Sequence, residues 1–169
     1  SGFIVYQGFG REESVPQGAI NSCIRFPNIT IPANSIIISA FVRFAARFTD
    51  ASSPCNVNCY FNDVDNAVMP VNKTAALGLV LTVPIAWNNI EPWIRDSYYD
   101  SPELKTILQL IIDRPGWNTG QAVTFVGLEN GSPAWTSRWN WKGESVQVWV
   151  DFNQPAPLPA GCFFQGLSS

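Results

Sequence analysis

The sequence contains no histidine, and this absence excludes several familiar kinds of active site. Ser-His-Asp and Cys-His relays need an imidazole to move the proton, and zinc sites commonly use imidazole or closely paired thiolates. Paired carboxylates would suit a glycosidase, but Glu12 with Glu13, and Glu91 with Asp96, are close only in sequence. No phosphate-binding loop or dinucleotide fingerprint is present. We therefore predict that the protein is not an enzyme.

Charge is also scarce, and the basic residues do not cluster. Charged residues make up 14% of the chain, against ~25% in an average globular protein. The ten lysines and arginines are scattered, and the net charge is −3. Phosphate contact needs clustered basic residues, so we expect no nucleic-acid binding. No run approaches the ~20 apolar residues of a membrane-spanning helix, so we expect no membrane span.

Cysteines are too few for the disulfide framework of a small secreted protein. The chain has Cys23, Cys55, Cys59 and Cys162. In an extended strand the Cα atoms of Cys55 and Cys59 would lie ~13 Å apart, beyond disulfide reach. Buried free thiols are the favoured interpretation, because free cysteine packs as a small hydrophobic residue. One disulfide and a metal site are the alternatives.

Apolar residues make up 46% of the chain, and frequent glycines and prolines divide them into short segments. Such segments, separated by turn signals, are typical of an all-β protein. We predict a jelly-roll β-sandwich of about eight strands that forms one domain, residues 1–152. Residues 8–18 are expected to form a polar loop. The expected strands are 3–6, 19–26, 36–48, 55–61, 79–87, 122–128, 135–141 and 145–152.

One stretch, about residues 101–114, predicts an inserted α-helix. The apolar residues at helical spacing are Leu104, Ile107, Leu108, Ile111 and Ile112. Asp100 or Ser101 is expected to cap the first turn, because a short side-chain oxygen can accept a backbone N–H there. Pro115 disfavours the helical conformation at the residue before it, so the helix is expected to end there.

Residues 153–169 are expected to form a proline-rich, extended C-terminal arm. Phe163 and Phe164 would be costly to leave in water, so we predict that they dock on a protein surface. That surface belongs either to the arm's own domain or to a neighbouring chain.

The segment 135–141 is rich in tryptophan, and sugars stack their C–H faces on exposed flat rings. Alternation along a strand would place Trp135, Trp139 and Trp141 on one face and Arg138 on the other. The tryptophan face either fills the sandwich core, forms an exposed stacking platform or contacts another subunit. These four residues are candidates for ligand binding. The second candidate cluster is Trp93, Tyr98 and Tyr99.

Asp63 and Asp65 lie in an N-D-V-D-N turn whose side chains offer several oxygen atoms. Calcium is bound by about six to eight oxygens, so the two aspartates are candidate ligands of a structural calcium ion. Their spacing is not that of an EF-hand. The alternative is a turn in which Asn and Asp side chains bond their own backbone. No other cofactor is expected.

A family resemblance rests on residues 25–44, 86–93, 99–122 and 146–152. Its most distinctive part is the run S-P-E-L at 101–104 followed by R-P-G-W at 114–117. Together these stretches resemble DNRLRE-type domains, which are carbohydrate-binding-module-like jelly rolls. Such domains occur in secreted polysaccharide-degrading and surface proteins of bacteria, and similar ones occur in phage structural proteins. The resemblance covers about residues 19–152, implies a jelly-roll fold and a binding role, and fixes no ligand residue.

The predicted function is a structural or binding role. The favoured hypothesis is a phage virion surface protein, of the capsid-decoration or tail-associated kind, that binds other virion proteins or its own copies. A capacity to bind glycans is compatible with it. The hypothesis depends on the lack of a visible signal peptide, on the arm and on Ser1, which is either a natural start or the remnant of a tag. The alternative is an extracellular carbohydrate-binding module of a secreted bacterial polysaccharide-acting protein.

Overall fold

The computed structural model describes residues 8–12, 18–50, 54–141 and 146–154. Over these residues the chain is mostly β-strand, in three antiparallel sheets, which confirms an all-β, sandwich-like fold. The elements are β1 Gly8–Arg11, β2 Ala19–Ile20, β3 Ser22–Phe26, β4 Ile36–Ala45, β5 Cys55–Phe61, α1 Lys73–Leu77, β6 Ile85–Ile90, β7 Tyr98–Asp100, α2 Lys105–Ile112, β8 Val123–Glu129, β9 Thr136–Trp139 and β10 Val146–Asn153. The predicted strand at 3–6 and the predicted arm from residue 155 onward, with Phe163 and Phe164, lie outside the described residues. No helix in the described ranges is long and apolar enough to cross a membrane.

The three sheets have the strand orders β3-β8-β5-β6, β10-β4-β7 and β2-β1-β9. The last two are joined along the end of β4. There the Arg47 N–H donates to the Trp139 carbonyl oxygen (2.8 Å), and the Trp141 N–H donates to the Ala45 carbonyl oxygen (3.0 Å). Between these two hydrogen bonds, Ala46 and Asn140 form an antiparallel β-bridge. The outward side of β4 therefore continues onto the end of the tryptophan-rich segment.

Aromatic side chains from all three sheets meet in the core. Phe9 of β1, Phe44 of β4 and Phe125 of β8 are fully buried. The ring centroids of Phe9 and Phe44 are 5.0 Å apart, and those of Phe44 and Phe125 are 5.8 Å apart. Burying one such side chain contributes roughly 1.5–3 kcal/mol, and edge-to-face contacts add to it. The core thus lies between the four-stranded sheet and the two three-stranded sheets.

A β-bulge changes which side of β4 faces the core. Strict alternation would place Ile38 on the same side as Ala40, yet Ile37 is buried and Ile38 is exposed. The register of β4 against β10 shifts by one residue at this point. An extra residue in one strand reverses the alternation. Alternation along β4 therefore holds from Ala40 onward and fails at Ile38.

Residues 8–11 form a strand, so the predicted loop at 8–18 is wrong for them. Phe9 enters the core, with Gly8 and Gly10 on either side of it. Gly10 has a φ of 108°, and a Cβ atom there would collide with the Thr136 carbonyl oxygen of β9. Two glycines beside one phenylalanine hide the apolar alternation by which strands are recognised.

Other elements also differ from the predictions. The short helix α1 was not expected; its Asn72 cap accepts the Ala75 N–H at 2.8 Å. The three residues of β7 were not among the predicted strands, but they pair with β4. The strand predicted at 79–87 begins instead at Ile85, directly after Pro84. Proline has no N–H to give to a sheet, which explains the later start.

The helix α2 is shorter than the predicted 101–114. Its buried residues, Ile107, Leu108, Ile111 and Ile112, confirm the predicted apolar stripe. The predicted caps are wrong, because Asp100 belongs to β7 and the Ser101 hydroxyl oxygen accepts an N–H of β4. Glu103 Oε1 instead accepts the N–H of Lys105 (3.0 Å) and the N–H of Ala40 (2.7 Å). This carboxylate therefore joins the first turn of α2 to β4.

Candidate functional site

The outward side of β4 carries an exposed aromatic surface that it shares with its neighbours. Side chains alternate along a strand, so Phe41 and Arg43 face outward while the residues between and beside them face the core. Trp149 lies opposite Phe41 on β10, and Asp100 lies opposite Arg43 on β7. Trp141 continues this side through its pairing with the end of β4. We define the aromatic face as Phe41, Arg43, Arg47, Tyr98, Asp100, Trp141, Gln147 and Trp149.

The end of the aromatic face where β4 pairs with β10 is built from two parallel rings. The centroids of Phe41 and Trp149 are 6.3 Å apart, and their planes differ by 5°. Trp149 is 48% exposed. The guanidinium carbon of Arg43 lies 5.4 Å from the Phe41 centroid and 5.0 Å from the Trp149 centroid. These distances are those of cation–π contacts, which hold the guanidinium over the ring faces.

Polar groups surround these two rings. Arg43 donates to both carboxylate oxygens of Asp100, from Nε and Nη2, at 2.7 Å each. The hydrogen bonds to Asp100 raise the pKa of the Arg43 guanidinium. The Trp149 indole N–H donates to Gln147 Oε1 at 3.1 Å. The rings are thus flanked by oriented donors and acceptors, which suits a ligand with both apolar faces and hydroxyl groups.

The other end of the aromatic face, just after β4, has a second arginine over two aromatic rings, Arg47. Its guanidinium carbon lies 4.9 Å from the Phe48 ring centroid and 5.6 Å from the Trp141 ring centroid. The Trp141 indole N–H donates to Asp96 Oδ1 at 3.2 Å. Tyr98 is 65% exposed on the edge strand β7. The surface is therefore an elongated strip along β4 and its continuation, open to solvent along its length.

The tryptophan-rich segment turns its rings outward and its intervening residues inward. Thr136, Arg138 and Asn140 are buried, so the interpretation that the tryptophans fill the core is wrong. Trp141 joins the aromatic face. Trp135 is 59% exposed in the turn that precedes β9, and Trp139 is partly buried on β9. The structure thus brings one of the three predicted stacking tryptophans of this segment into the aromatic face.

Arg138 was predicted as a ligand-binding residue, but its side chain is fully buried. Its Nε donates to the Glu91 carbonyl oxygen (2.8 Å), its Nη2 to the Ile90 carbonyl oxygen (2.8 Å) and its Nη1 to the Ser137 carbonyl oxygen (3.0 Å). A guanidinium enclosed in this way does not reach a ligand on the surface. Arg138 instead fixes the backbone at the end of β6.

The second predicted cluster divides between the core and the surface. Trp93 is fully buried and stacks on Phe44, with ring centroids 6.0 Å apart. Tyr99 stacks on Trp93, with ring centroids 5.1 Å apart and a plane angle of 10°. Its hydroxyl oxygen accepts the Ile94 N–H at 2.8 Å. Tyr98, which points to the opposite side of β7, is the member that belongs to the aromatic face.

The two predicted calcium ligands, Asp63 and Asp65, both accept hydrogen bonds from the same arginine. Arg114, just after α2, donates to Asp65 Oδ1 and to Asp63 Oδ1 at 2.6 Å each, and these bonds raise the pKa of its guanidinium. The guanidinium already supplies the counter-charge that a calcium ion would supply. Among the described residues, no group of three or more His, Cys, Asp or Glu side chains is placed to hold a metal ion. The calcium site therefore stays a prediction, and the contacts favour a role for this turn in holding the end of α2.

Comparison of the chain with protein-family models, with curated proteins and with solved structures finds no match. The aromatic face is therefore interpreted from its own chemistry. Sequence reasoning did not select its central rings, Phe41 and Trp149. Alternation along residues 145–152 does place Trp149 on the side of Gln147 and Asp151, which is a signal for an exposed ring. Phe41 gives no such signal, because both sides of β4 are apolar in sequence.

Proposed function

We propose that the protein is a non-catalytic β-sandwich that binds a glycan chain along its aromatic face. The observation that carries the proposal is the pair of parallel rings of Phe41 and Trp149, of which Trp149 is exposed and Phe41 is partly buried, flanked by the Arg43–Asp100 ion pair. The C–H faces of a sugar ring stack on such rings. The surrounding guanidinium, carboxylate and amide groups offer partners for its hydroxyl groups.

The shape of the surface supports a chain rather than a single small molecule as ligand. Pockets for small ligands bury most of the ligand surface, whereas the aromatic face is an open strip. The lack of histidine supports the non-catalytic part of the proposal. The jelly-roll connectivity and the likeness to DNRLRE-type carbohydrate-binding domains belong to the same proposal.

Affinity electrophoresis tests this function with gels that contain xyloglucan, galactomannan, arabinoxylan, mixed-linkage β-glucan or dextran. We expect at least one polysaccharide to retard the wild-type protein. Trp149→Ala removes stacking surface and is expected to lower the affinity about tenfold or more. Trp135→Ala, an exposed tryptophan outside the aromatic face, is the matched control and should behave as wild type. A wild-type protein that no gel retards, or equal losses in the two variants, would contradict the proposal.

We propose a second function, favoured by a different surface, in which the protein assembles with its own copies in a virion surface layer. The segment between β5 and β6 exposes several large apolar side chains around α1. These are Val68, Met69, Val71, Leu77, Val80 and Val83. Soluble monomers rarely expose large contiguous apolar patches, and such patches mark interaction sites. A role on the surface of a phage particle rests on this docking capacity.

Light scattering of the purified protein tests the second function. The wild type is expected to have a mass above that of one chain, and Val71→Asp with Leu77→Asp is expected to reduce it to a monomer. Ile94→Asp changes an exposed apolar residue outside this segment and serves as the control. A strictly monomeric wild type at high concentration would count against assembly through this surface.

A further inference from the structure

A small cleft opens between the edge strands β6 and β7, beside the aromatic face. Its volume is about 170 Å³. It is lined by Trp87, Asn89, Ile90, Glu91, Trp93, Tyr99 and Asp100. The volume is several times the ~30 Å³ of one water molecule, and it is below the ~300–1,000 Å³ of pockets for drug-sized ligands. The cleft therefore matches a ligand of about one ring.

Trp93 is one of the residues that line the cleft, and it carries a buried hydrogen-bond donor. Its side chain is fully buried, and its indole N–H has no acceptor among the described residues. Buried polar groups nearly always have a hydrogen-bond partner, and one without a partner calls for an explanation. The ring is held between Phe44 and Tyr99, so it cannot easily turn its N–H toward solvent. An oxygen atom of a ligand in the cleft would give this donor its acceptor.

Carboxylates on the rim of the cleft determine which ligands it suits. Glu91 is exposed there, and Asp100 is shared between the cleft and the aromatic face through its bonds to Arg43. Carboxylate oxygens accept hydrogen bonds from hydroxyl groups, whereas they repel a ligand that carries its own carboxylate. A neutral ring with several hydroxyl groups meets both conditions.

Buried and local hydrogen bonds fix the cleft wall before any ligand arrives. Arg138 bonds the carbonyl oxygens of Ile90 and Glu91, two of the residues that line the cleft. The Asn89 N–H donates to Asn56 Oδ1 at 2.8 Å, in a left-handed backbone conformation with a φ of 54°. A wall held in this way needs little ordering on binding, which favours affinity.

We propose that the cleft is a second sugar subsite, which takes one neutral sugar unit of the glycan bound on the aromatic face. The unit is a single-sugar branch or a chain end, because the cleft holds about one ring. Its oxygen accepts the Trp93 N–H, and its hydroxyl groups donate to Glu91 and Asp100. This inference rests on the proposed glycan-binding function and adds where a branch of that glycan is held.

Nuclear magnetic resonance of the indole N–H groups tests the subsite directly. Each of the seven tryptophans contributes one indole N–H signal, and the variants Trp93→Phe and Trp149→Ala identify the two that matter. The protein is titrated with methyl glycosides of glucose, galactose, mannose and xylose, and with glucuronic acid. We expect at least one neutral glycoside to shift the Trp93 signal and glucuronic acid to shift it little. Glu91→Ala should weaken that response about fivefold to tenfold, and Asp113→Asn, an acid on α2, should leave it unchanged.

Titration of the same sample with the polysaccharides used in electrophoresis separates the two proposals. A shift of the Trp149 signal with a polysaccharide, while no sugar shifts the Trp93 signal, would overturn the subsite and leave the aromatic face in place. A Trp93 shift without any Trp149 shift would support the subsite as a sugar site and contradict binding along the aromatic face. A Trp93 response to glucuronic acid alone would overturn the assignment to neutral sugars.

Discussion

Arg138 places a cation inside the protein, and its contacts explain why the fold tolerates it. Three carbonyl oxygens accept its N–H groups and replace the water it has lost. Burial raises the pKa of Asp50, and the charge of Arg138 acts in the opposite direction on the same carboxyl group. A buried charge of this kind stabilises the folded state only while its partners keep their positions.

Replacing this arginine with lysine tests that account at the residue scale. Lysine keeps the charge but lacks the planar fork that reaches several carbonyl oxygens at once. We expect Arg138→Lys to lower the free energy of unfolding by about 2–4 kcal/mol, measured by urea denaturation. Arg95→Lys, at an exposed arginine, is the control and should change it little. Equal stability of Arg138→Lys and wild type would contradict the structural role.

The thiols of Cys23, Cys55 and Cys59 are buried and free, in agreement with the favoured interpretation of the sequence. Burial raises the pKa of Cys23 to about 11 and that of Cys59 to about 12. A raised folded-state pKa means that folding favours the neutral thiol. The resulting stabilisation is complete below the unfolded pKa of about 8.5 and is lost as the pH rises through 11 to 12.

A Cys162→Ser variant allows the buried thiols to be examined alone. In the native state at pH 8 we expect almost no reaction with Ellman's reagent, because burial hinders access and keeps the thiols protonated. In denaturant, all three remaining thiols should react. The free energy of unfolding should fall above about pH 9, where the unfolded thiols ionise first. Rapid labelling of the folded variant at pH 8 would contradict the assigned burial.

At the scale of the element, Glu103 connects α2 to β4. Burial acts to raise the pKa of Glu103, but the N–H groups of Ala40 and Lys105 lower it below its ordinary value. A folded-state pKa that is lowered means that folding favours the carboxylate. This stabilisation is complete above the unfolded pKa and is lost as the pH falls through the lower folded-state value.

Substitutions at Glu103 separate its oxygen atoms from its charge. Glu103→Ala removes the oxygen atom that accepts both N–H groups and is expected to lower the free energy of unfolding by about 1–2 kcal/mol at pH 7. Glu103→Gln keeps an oxygen acceptor and should lose less. The difference between wild type and Glu103→Gln, followed by thermal unfolding from pH 7 to pH 3, should shrink as the carboxylate is protonated. A difference that grows toward acid pH would show that the carboxylate is not the stabilising form.

The elements that sequence reasoning predicted well are those whose residues carry a regular apolar pattern. The stripe of α2 and the alternation of β5 both follow from such patterns. The predictions failed where local chemistry replaced the pattern. Gly8 and Gly10 hide β1, an extra residue at Ile38 reverses the sides of β4, and an acid outside the helix takes over capping. The aromatic cluster near 98–99 was found, but its division between core and surface depends on strand pairing.

At the scale of the whole molecule, the aromatic face is a product of strand register. Its rings come from β4, β7, β10 and Trp141, which follows β9. These segments are distant in sequence and meet only because their backbones pair with β4. A register shift of one residue would turn Trp149 toward the core and remove the surface. The candidate residues Trp141 and Tyr98 were predicted from aromatic clusters in the sequence, whereas Phe41 required knowledge of its partner strand. Arg138 was predicted to be available to a ligand at the surface, but it is buried. The prediction failed because the inward-facing side of β9 is polar, as an exposed side would be.

The central claim is that the aromatic face binds glycan through the rings of Phe41 and Trp149. Isothermal titration of the protein with oligosaccharides from the polysaccharide that retards it most is the most direct test. We expect Trp149→Ala to raise the dissociation constant about tenfold or more, with Trp135→Ala equal to wild type and both variants folded, as checked by cooperative unfolding in urea. Wild-type affinity in a folded Trp149→Ala variant would contradict the claim.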